Sequence, residues 1–270
     1  MSWGAPLARL ADVDGVTAAW WRLLVGSSLT VAFTLLSRGR VDASRALAHV
    51  ALPSGAALGL HFASWFESLR YASVASSTGI VSTYPIVAAF YEMLVTREVA
   101  YRQLAGVLLG FAGIAVLSTP WAGATPKGAI LALVGSLSAA AYFLLGRRAR
   151  VRGYSTADYT SLTYTSAFIV VAVYSLAAGG RPWAAPRSSI PFLVLLGVVP
   201  MLMGHSMMNF ALRFFPATVV TSVGLLEPYG ASLLAWLVLG ERPPLASLVG
   251  LLLAVAGAHL VLSGERGGER

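Results

Sequence analysis

Long apolar segments with almost no charge constrain the fold of this 270-residue chain more than any other feature. In hydrocarbon, backbone polar groups must be satisfied internally, so only helices and closed barrels can span a bilayer. Strands of a membrane barrel would be about ten residues long with alternating polarity. These segments are continuous and roughly twice that length, which predicts spanning helices. Nine segments are long enough or nearly so: Thr17–Ser37, Leu47–Leu69, Val74–Val95, Gln103–Ser118, Gly128–Gly146, Tyr159–Ala178, Ile190–Leu212, Ala217–Leu239 and Leu245–Ser263.

The composition excludes an ordinary soluble enzyme or a disordered chain. Apolar residues make up 57% and charged residues 11%, against about 45–50% and about 25% in soluble domains. At roughly 25–28 residues for a span and its connector, a chain of this length holds about ten spans. Almost nothing remains for a soluble domain. The sequence therefore predicts an all-α polytopic membrane helix bundle whose function lies between its helices.

The net charge of +8 does not indicate nucleic acid, because the basic residues stand in short gaps between apolar segments. Such a bias is typical of membrane proteins and sets their orientation. The chain has no Cys, no phosphate-binding loop, no metal-ligand spacing among its four His and no nucleophile elbow. We expect neither a cofactor, nor a metal, nor an enzymatic activity.

An internal repeat appears when the chain is shifted along itself so that Leu69 falls on Leu212. Six residues then fall on identical ones, and four more do so after one insertion. The pairs are Leu69/Leu212, Arg70/Arg213, Pro85/Pro228, Leu94/Leu237, Val95/Val238 and Glu98/Glu241, then Gly106/Gly250, Leu109/Leu253, Ala112/Ala256 and Gly113/Gly257. This pattern predicts a first repeat over 1–119, a connecting loop over 120–127, a second repeat over 128–263 and a tail over 264–270.

The second half holds five spans, and the first holds four and a fragment at Trp3–Ala11. A five-span unit crosses the membrane an odd number of times, so two in tandem have opposite orientations. The prediction is two inverted five-helix repeats, a ten-helix plan with the first helix truncated. Projecting Gly128 back by the same shift places the start of that helix before Met1. Either the true start lies upstream, which we favour, or the protein begins partway through a helix.

The basic residues separate by side if the gap after Ser37 is cytoplasmic. Twelve then lie inside: Arg38, Arg40, Arg45, Arg97, Arg102, Arg147, Arg148, Arg150, Arg152, Arg213, Arg266 and Arg270. Five lie outside: Arg70, Lys127, Arg181, Arg187 and Arg242. The positive-inside rule then predicts a cytoplasmic C-terminus.

Several short motifs recur in both halves in the same order. The first half has Leu69-Arg70-Tyr71, Tyr84-Pro85, Glu98, and Gly106 with Gly113; the second has Ala211-Leu212-Arg213, Leu226-Glu227-Pro228, Leu239-Gly240-Glu241, and Gly250 with Gly257. With Trp21-Arg22 opening a span, nearly the whole chain resembles the EamA-type family of the drug/metabolite transporter superfamily. The resemblance implies inverted repeats, cytoplasmic termini and export of small organic metabolites, such as amino acids, across a prokaryotic plasma membrane. Thr96-Arg97-Glu98 departs from the family's Gly-Glu pattern.

Glu227 is the strongest functional candidate, because an ionisable residue near the middle of a span is costly and needs a reason. Pro228 directly after it removes a backbone hydrogen bond and can kink the helix. The carboxyl could exchange a proton or bind a cationic group, or it could be protonated and join two helices structurally. Pro85 is the repeat partner of Pro228, and Tyr84 replaces the acid. Tyr84 could line a cavity opposite Glu227, or pack with its hydroxyl bonded to a backbone carbonyl.

His205 and Asn209 lie four residues apart, hence on one face of a helix. His titrates near neutral pH, so His205 could take part in proton coupling. Both could instead make structural hydrogen bonds between helices. His61, with Trp65 one turn later, occupies a similar place on the repeat-related span.

Aromatic side chains could accept the flat or apolar parts of a solute, although interfacial belts use the same residue types. The candidates are Trp65, Tyr84, Tyr142, Tyr164 and Tyr229. Arg22 follows Trp20 and Trp21 and is expected to anchor the interface; the family resemblance allows it to attract an anionic group at the outer mouth. Glu92 could be a gating acid or could snorkel to the interface.

The sequence therefore predicts a secondary transporter with a small-molecule substrate that works by alternating access. The substrate gradient or protons would drive it. The alternatives are a passive facilitator or channel in which Glu227 is structural, and a membrane-embedded enzyme or accessory subunit of a membrane complex. We expect a monomer or homodimer, since the small-residue pairs Gly55/Gly59 and Gly106/Gly110 could make contacts within or between protomers.

Overall fold

The computed structural model describes residues 1–97, 101–117, 124–243, 245 and 247–265, and every regular element within them is helical. Seven helical segments are long and apolar enough to span: Gly15–Arg38, Arg45–Ser68, Val74–Thr96, Pro126–Val151, Thr156–Ala177, Ile190–Ala211 and Ala217–Leu239. Two shorter apolar helices are Tyr101–Leu117 and Ser247–Ser263. Each of the nine predicted segments coincides with one of these. The prediction of an all-α polytopic membrane helix bundle is confirmed.

The helices follow the same order in both halves of the described chain. The first half contains α1 (Gly4–Ala11), α2 (Gly15–Arg38), α3 (Arg45–Ser68), α4 (Val74–Val81), α5 (Tyr84–Thr96) and α6 (Tyr101–Leu117). The second contains α7 (Pro126–Val151), α8 (Thr156–Ala177), α9 (Ile190–Leu196), a π-helical segment (Gly197–His205), α10 (Ser206–Ala211), α11 (Ala217–Ser222), a 3-10 turn (Val223–Leu226), α12 (Glu227–Leu239) and α13 (Ser247–Glu265).

One span in each half is interrupted at the same place. In the first half α5 begins at Tyr84, and in the second α12 begins at Glu227, the residue that the repeat places opposite Tyr84. Pro85 and Pro228 stand in the first turn of the new helix, where a missing N–H costs nothing. The predicted proline kinks are therefore interruptions of the α-helix: a turn at Ser82 and Thr83 separates α4 from α5, and the 3-10 turn Val223–Leu226 separates α11 from α12.

Contacts between elements come in pairs that are related by exchange of the halves. Helix α3 packs on α7 and α8, as α9 packs on α1 and α2; α5 packs on α7, as α12 packs on α1; and α4 packs on α12, as α11 packs on α5. Helices α5 and α11 contact each other, and so do α6 and α13. The broken spans of both halves therefore meet inside the bundle. The exact repeat boundaries stay predictions, and Glu98, 120–123 and 266–270 lie outside the described residues.

Both predicted small-residue pairs make contacts within the described chain. A Cβ built on Gly55 would lie 2.5 Å from the Thr163 oxygen of α8, and one on Gly106 would lie 2.6 Å from the Gly257 oxygen of α13. Their partners Gly59 and Gly110 face α8 and Leu225. At these positions the contacts are internal and join helices whose backbones approach closely.

Candidate functional site

Arg22 lies inside the bundle, with 1% of its surface exposed. Its guanidinium carbon stands 4.0 Å above the centre of the Phe62 ring and 5.6 Å from that of Phe66. Neither Nε nor Nη1 has a hydrogen-bond acceptor among the described residues. The expectation of an interfacial anchor is wrong for Arg22, because α3 and its phenyl rings cover it. Trp21 does reach an end of the bundle, where its indole N–H donates to the Pro182 oxygen at 2.9 Å.

Burial of an arginine in this way costs free energy. A buried charge without a partner costs several kcal/mol, which cation–π contacts offset only in part. Buried polar groups in proteins nearly always have partners, so an orphaned pair of N–H donors needs an explanation. An anionic group that binds beside Arg22 would supply one.

His205 lies at the centre of an aromatic cluster next to Arg22. Its ring centre is 5.1 Å from that of Phe62, 5.8 Å from Tyr142, 5.9 Å from Phe143 and 6.2 Å from His61. Neither ring nitrogen of His205 has a hydrogen-bond partner among the described residues. The π-helical segment that ends at His205 carries it into this position, and such segments often occur at functional sites.

Two neighbours of His205 have structural hydrogen bonds. Asn209 donates to the Tyr142 hydroxyl and to the His205 backbone oxygen, the latter at 2.8 Å. The Nδ1 atom of His61 lies 2.9 Å from the Gly135 oxygen of α7. The predicted shared face of His205 and Asn209 is present, and Asn209 fixes the local geometry there. The His61 ring stacks on Trp65 at 5.6 Å between centres.

Tyr84 and Glu227 begin the second parts of the two broken spans, and both are buried. The Tyr84 ring stacks on Phe143, 5.5 Å between centres, and its hydroxyl has no partner among the described residues. The expected bond from this hydroxyl to a backbone carbonyl is therefore absent. The hydroxyl lies directly against Gly224, since a Cβ built there would overlap it.

The Glu227 side chain makes no hydrogen bond or ion pair with the part of the chain described here, although only 7% of the residue is exposed. The cationic groups whose charges act on it are the Met1 amino group and the Arg22 guanidinium. The alternative in which the Glu227 side chain joins two helices by a hydrogen bond is therefore not seen among the described residues. Glu227 instead faces a cavity of 330 Å³ lined also by Met1, Ser2, Gly204, Met207, Met208, Val223, Gly224 and Leu226.

The remaining predicted aromatics divide between the centre and the periphery. Tyr164 belongs to the central core, and its hydroxyl lies 3.2 Å from that of Ser206. Tyr229 packs elsewhere, with Leu117 and Ala254 beside the α6–α13 pair. Tyr229 thus lies outside the central core. The other predicted site residues lie in that single core, with Glu227 at its border: Arg22, His61, Trp65, Tyr84, Tyr142, Tyr164, His205 and Asn209.

Three rings that build this core were not predicted as site residues. Phe62 and Phe66 lie one turn apart on α3 and stack at 5.8 Å, and Phe143 packs between Tyr84 and His205. The spacing of Phe62, Trp65 and Phe66 on one helix was the available signal. Apolar residues are so common in this sequence that the spacing alone did not separate them from lipid-facing positions.

Glu92 has a role that its sequence context does not indicate. Its carboxylate accepts hydrogen bonds from the backbone N–H groups of Ala217 at 2.7 Å and Thr218 at 3.0 Å. It therefore caps the first turn of α11.

At the other end of the bundle Glu241 accepts from the Val74 N–H at 3.0 Å and pairs with Arg9 at 3.0 Å. Both Glu241 and Arg9 line a cavity of 540 Å³ at that end, and Phe66 forms part of its wall. Because Phe66 also lies 5.6 Å from the Arg22 guanidinium, this cavity approaches the central core from outside.

Comparison with known proteins agrees with this architecture. The sequence pattern of the EamA-like transporter family matches residues 3–119 and again residues 126–263. The chain belongs to the EamA-like transporter family. The resemblance inferred from the sequence motifs is thereby confirmed, and the protein is a multi-pass membrane transporter of this type with a small-molecule substrate.

Relatives of this EamA-like chain are distant but nearly full-length. It is 24% identical over 258 residues to an uncharacterized transporter of Archaeoglobus fulgidus, covering 93% of this chain and 89% of that one. It is 25% identical over 258 residues to the uncharacterized transporter YdfC of Bacillus subtilis, covering 92% and 82%. One solved crystal structure shares the fold with a TM-score of 0.76 at 19% identity, covering 96% of this chain and 93% of that one.

Proposed function

We propose that this EamA-like protein exports a small zwitterionic solute of amino-acid type by alternating access through the central core. The observation that carries the proposal is that a guanidinium and a carboxyl group, those of Arg22 and Glu227, are both buried and both without a hydrogen bond or ion pair among the described residues. No ion pair joins the two groups to each other. A zwitterion would satisfy both groups at once.

Each end of such a solute has a suitable partner. A carboxylate can accept two parallel N–H bonds from a guanidinium, the geometry for which arginine is best suited. An ammonium group is attracted by the Glu227 carboxylate and by the faces of aromatic rings. The apolar part of the solute would pack among Phe62, Trp65 and Phe143, whose rings surround the site.

Protons or the substrate gradient would supply the driving force. Glu227 is the coupling candidate: it would release its proton when the substrate ammonium binds and regain it when the substrate leaves. The groups that face it are Arg22, the Met1 amino group and Tyr84. The charge bias predicts that the protein lies in a prokaryotic plasma membrane with its C-terminus in the cytoplasm.

A thermal-shift series tests the substrate class on the purified protein, because a ligand of the folded state raises its melting temperature. Free amino acids are compared with their N-acetyl and methyl-ester forms, each of which lacks one charge. We expect only the zwitterions to stabilise the protein, and Arg22→Gln to abolish the shift. The exposed Arg40→Gln variant is the control and should respond normally. Equal shifts with esters, or full response in Arg22→Gln, would contradict the proposal.

A further inference from the structure

We infer that Glu92 and Glu241 are two reciprocal latches, each of which closes one end of the transport pathway by holding the broken span of the other half. This inference rests on the proposed alternating access. The evidence for the latches is independent of the substrate site, because it consists of hydrogen bonds from backbone N–H groups to the two carboxylates at the two ends of the bundle. We call these ends the Glu92 end and the Glu241 end.

At the Glu241 end, one carboxylate joins both halves. Glu241 follows α12, and its Oε2 accepts from the Val74 N–H, the first residue of α4, at 3.0 Å. Its Oε1 accepts from Arg9 of α1 at 3.0 Å, and Arg9 also donates to the Leu69 oxygen at 2.6 Å. Removing this carboxylate leaves a helix N-terminus and an arginine without their anion.

At the Glu92 end, the halves exchange roles. Glu92 lies in the last turns of α5 in the first half, and it accepts from the N–H groups of Ala217 and Thr218 in the second half. Ala217 opens α11 as Val74 opens α4, and the two are equivalent positions in the repeat. Acidic side chains at such positions satisfy orphan N–H groups and complement the helix dipole.

The two acids themselves are not equivalent in the repeat, which strengthens the inference. The repeat places Ala235 opposite Glu92, and it places Glu98 opposite Glu241. The same contact is therefore made from two different sequence positions. A contact merely inherited from duplication would use matched residues, so its presence at both ends indicates that the end of each broken span requires an acid.

The two latches hold the helices that lead to the central core. Helix α4 leads through its break to Tyr84, and α11 leads through its break to Glu227. To part α4 from α12 at one end, the Glu241–Val74 contact must break; to part α5 from α11 at the other, the Glu92 contacts must break. Alternating access then means that one latch opens while the other holds. The hydrogen bonds of both latches are formed in this structure.

Thiol accessibility tests the latches without any substrate, and the chain has no native Cys. The reporters are Ala88→Cys on α5 and Ala231→Cys on α12, which are buried, 0% and 1% exposed, and stand at equivalent positions in the repeat. The measured quantity is the rate of reaction with a small, charged, membrane-impermeant maleimide. The protein is held in lipid nanodiscs, where the reagent reaches both ends.

We expect Glu92→Ala to raise the Ala88→Cys rate about tenfold, because a charge-assisted hydrogen bond contributes about 1.4 kcal/mol or more. The Ala231→Cys rate should stay within about twofold. Glu241→Ala should do the reverse, and Arg9→Gln should act as a weaker Glu241→Ala. Glu92→Gln and Glu241→Gln, which keep an acceptor, should fall between wild type and alanine at their own ends.

Equal acceleration of both reporters by either alanine variant overturns the inference, because it indicates general loosening. Unchanged rates at both reporters also overturn it. If an alanine variant does not fold, the glutamine variants carry the same test, and a lack of end-selectivity in them rejects the latches. Failure of zwitterions to bind would contradict the proposed substrate and leave these rates unaffected.

Discussion

Arg22 and Tyr84 show how far a side chain's role depends on residues remote in the sequence. Arg22 follows two tryptophans, which is the pattern of an interfacial anchor, yet Phe62 and Phe66 of another helix enclose it. Tyr84 replaces the acid of the repeat, and its environment is set by Phe143 and Gly224. At both positions the residue type indicated a functional candidate, and contacts with other helical segments determine its environment.

Gly224 is expected to be required by the Tyr84 hydroxyl rather than by backbone geometry. We predict that Gly224→Ala lowers stability by roughly 1–3 kcal/mol through overpacking, because its Cβ would overlap that hydroxyl. The double variant Gly224→Ala with Tyr84→Phe should recover part of the loss, because the Tyr84 Cζ atom would still lie 2.6 Å from that Cβ. Melting temperatures of the single and double variants measure this. Without recovery in the double variant, the contact is not the cause.

The central residues could be predicted from the sequence in part. The helical period placed His205 and Asn209 on one face, and the cost of buried charge singled out Glu227. The sequence could not show that Asn209 bonds to Tyr142 or that Tyr229 lies apart from the core, because those facts depend on helix packing. In a chain this apolar, hydrophobic pattern does not distinguish a lipid-facing ring from a core ring.

Several spans of this bundle are not continuous α-helices, so their length alone does not describe them. Apolar length predicted each span, and Pro85 and Pro228 predicted two distortions. The π-helical segment Gly197–His205 was not predicted within Ile190–Leu212, although Pro200 inside it indicates a distortion of the helix. Such local widening is decided by what the side chains pack against.

The α6–α13 pair should be the most sensitive helix contact to added volume. A Cβ on Gly257 would overlap the Gly106 oxygen, and one on Gly113 would overlap the Gly250 oxygen. We predict that Gly257→Ala lowers stability by roughly 1–3 kcal/mol. The lipid-facing Ala256→Val variant is the matched control and should be neutral. Equal melting temperatures for wild type and both variants in nanodiscs would refute the prediction.

The bundle as a whole is organised by exchange of its halves. The contacts that join the two halves come in pairs that are related by exchange of the halves, and the two interrupted spans meet between the halves. The duplicated motifs predicted this duplication from sequence, since Pro, Glu and Gly recurred in order. The contacts that join the halves could not be predicted, because Glu92 and Glu241 occupy different repeat positions and reach backbone atoms in the opposite half of the chain.

Substitution of Glu227 should abolish coupling to the pH gradient while substrate exchange persists. In proteoliposomes we expect Glu227→Gln to lose uphill accumulation driven by a pH gradient, because the amide carries no titratable proton. Exchange of labelled for unlabelled substrate should persist at a reduced rate, since Arg22 still binds the carboxylate. The exposed Arg40→Gln variant serves as the control. Wild-type transport that ignores the pH gradient, with Glu227→Gln unchanged, would favour a passive facilitator.

Under the proposed alternating access, the Tyr84/Glu227 substitution also contributes to the energetics of the empty protein. Two identical inverted halves would make the inward-open and outward-open forms equal in free energy, because a two-fold rotation would interconvert them. A phenol in one half and a carboxyl in the other removes that degeneracy, so the empty carrier must favour one form. This difference in free energy determines which form the empty protein mainly adopts and how its apparent affinity for the solute differs between the two sides of the membrane. It does not determine the direction of net flux, which depends on the gradients that drive transport.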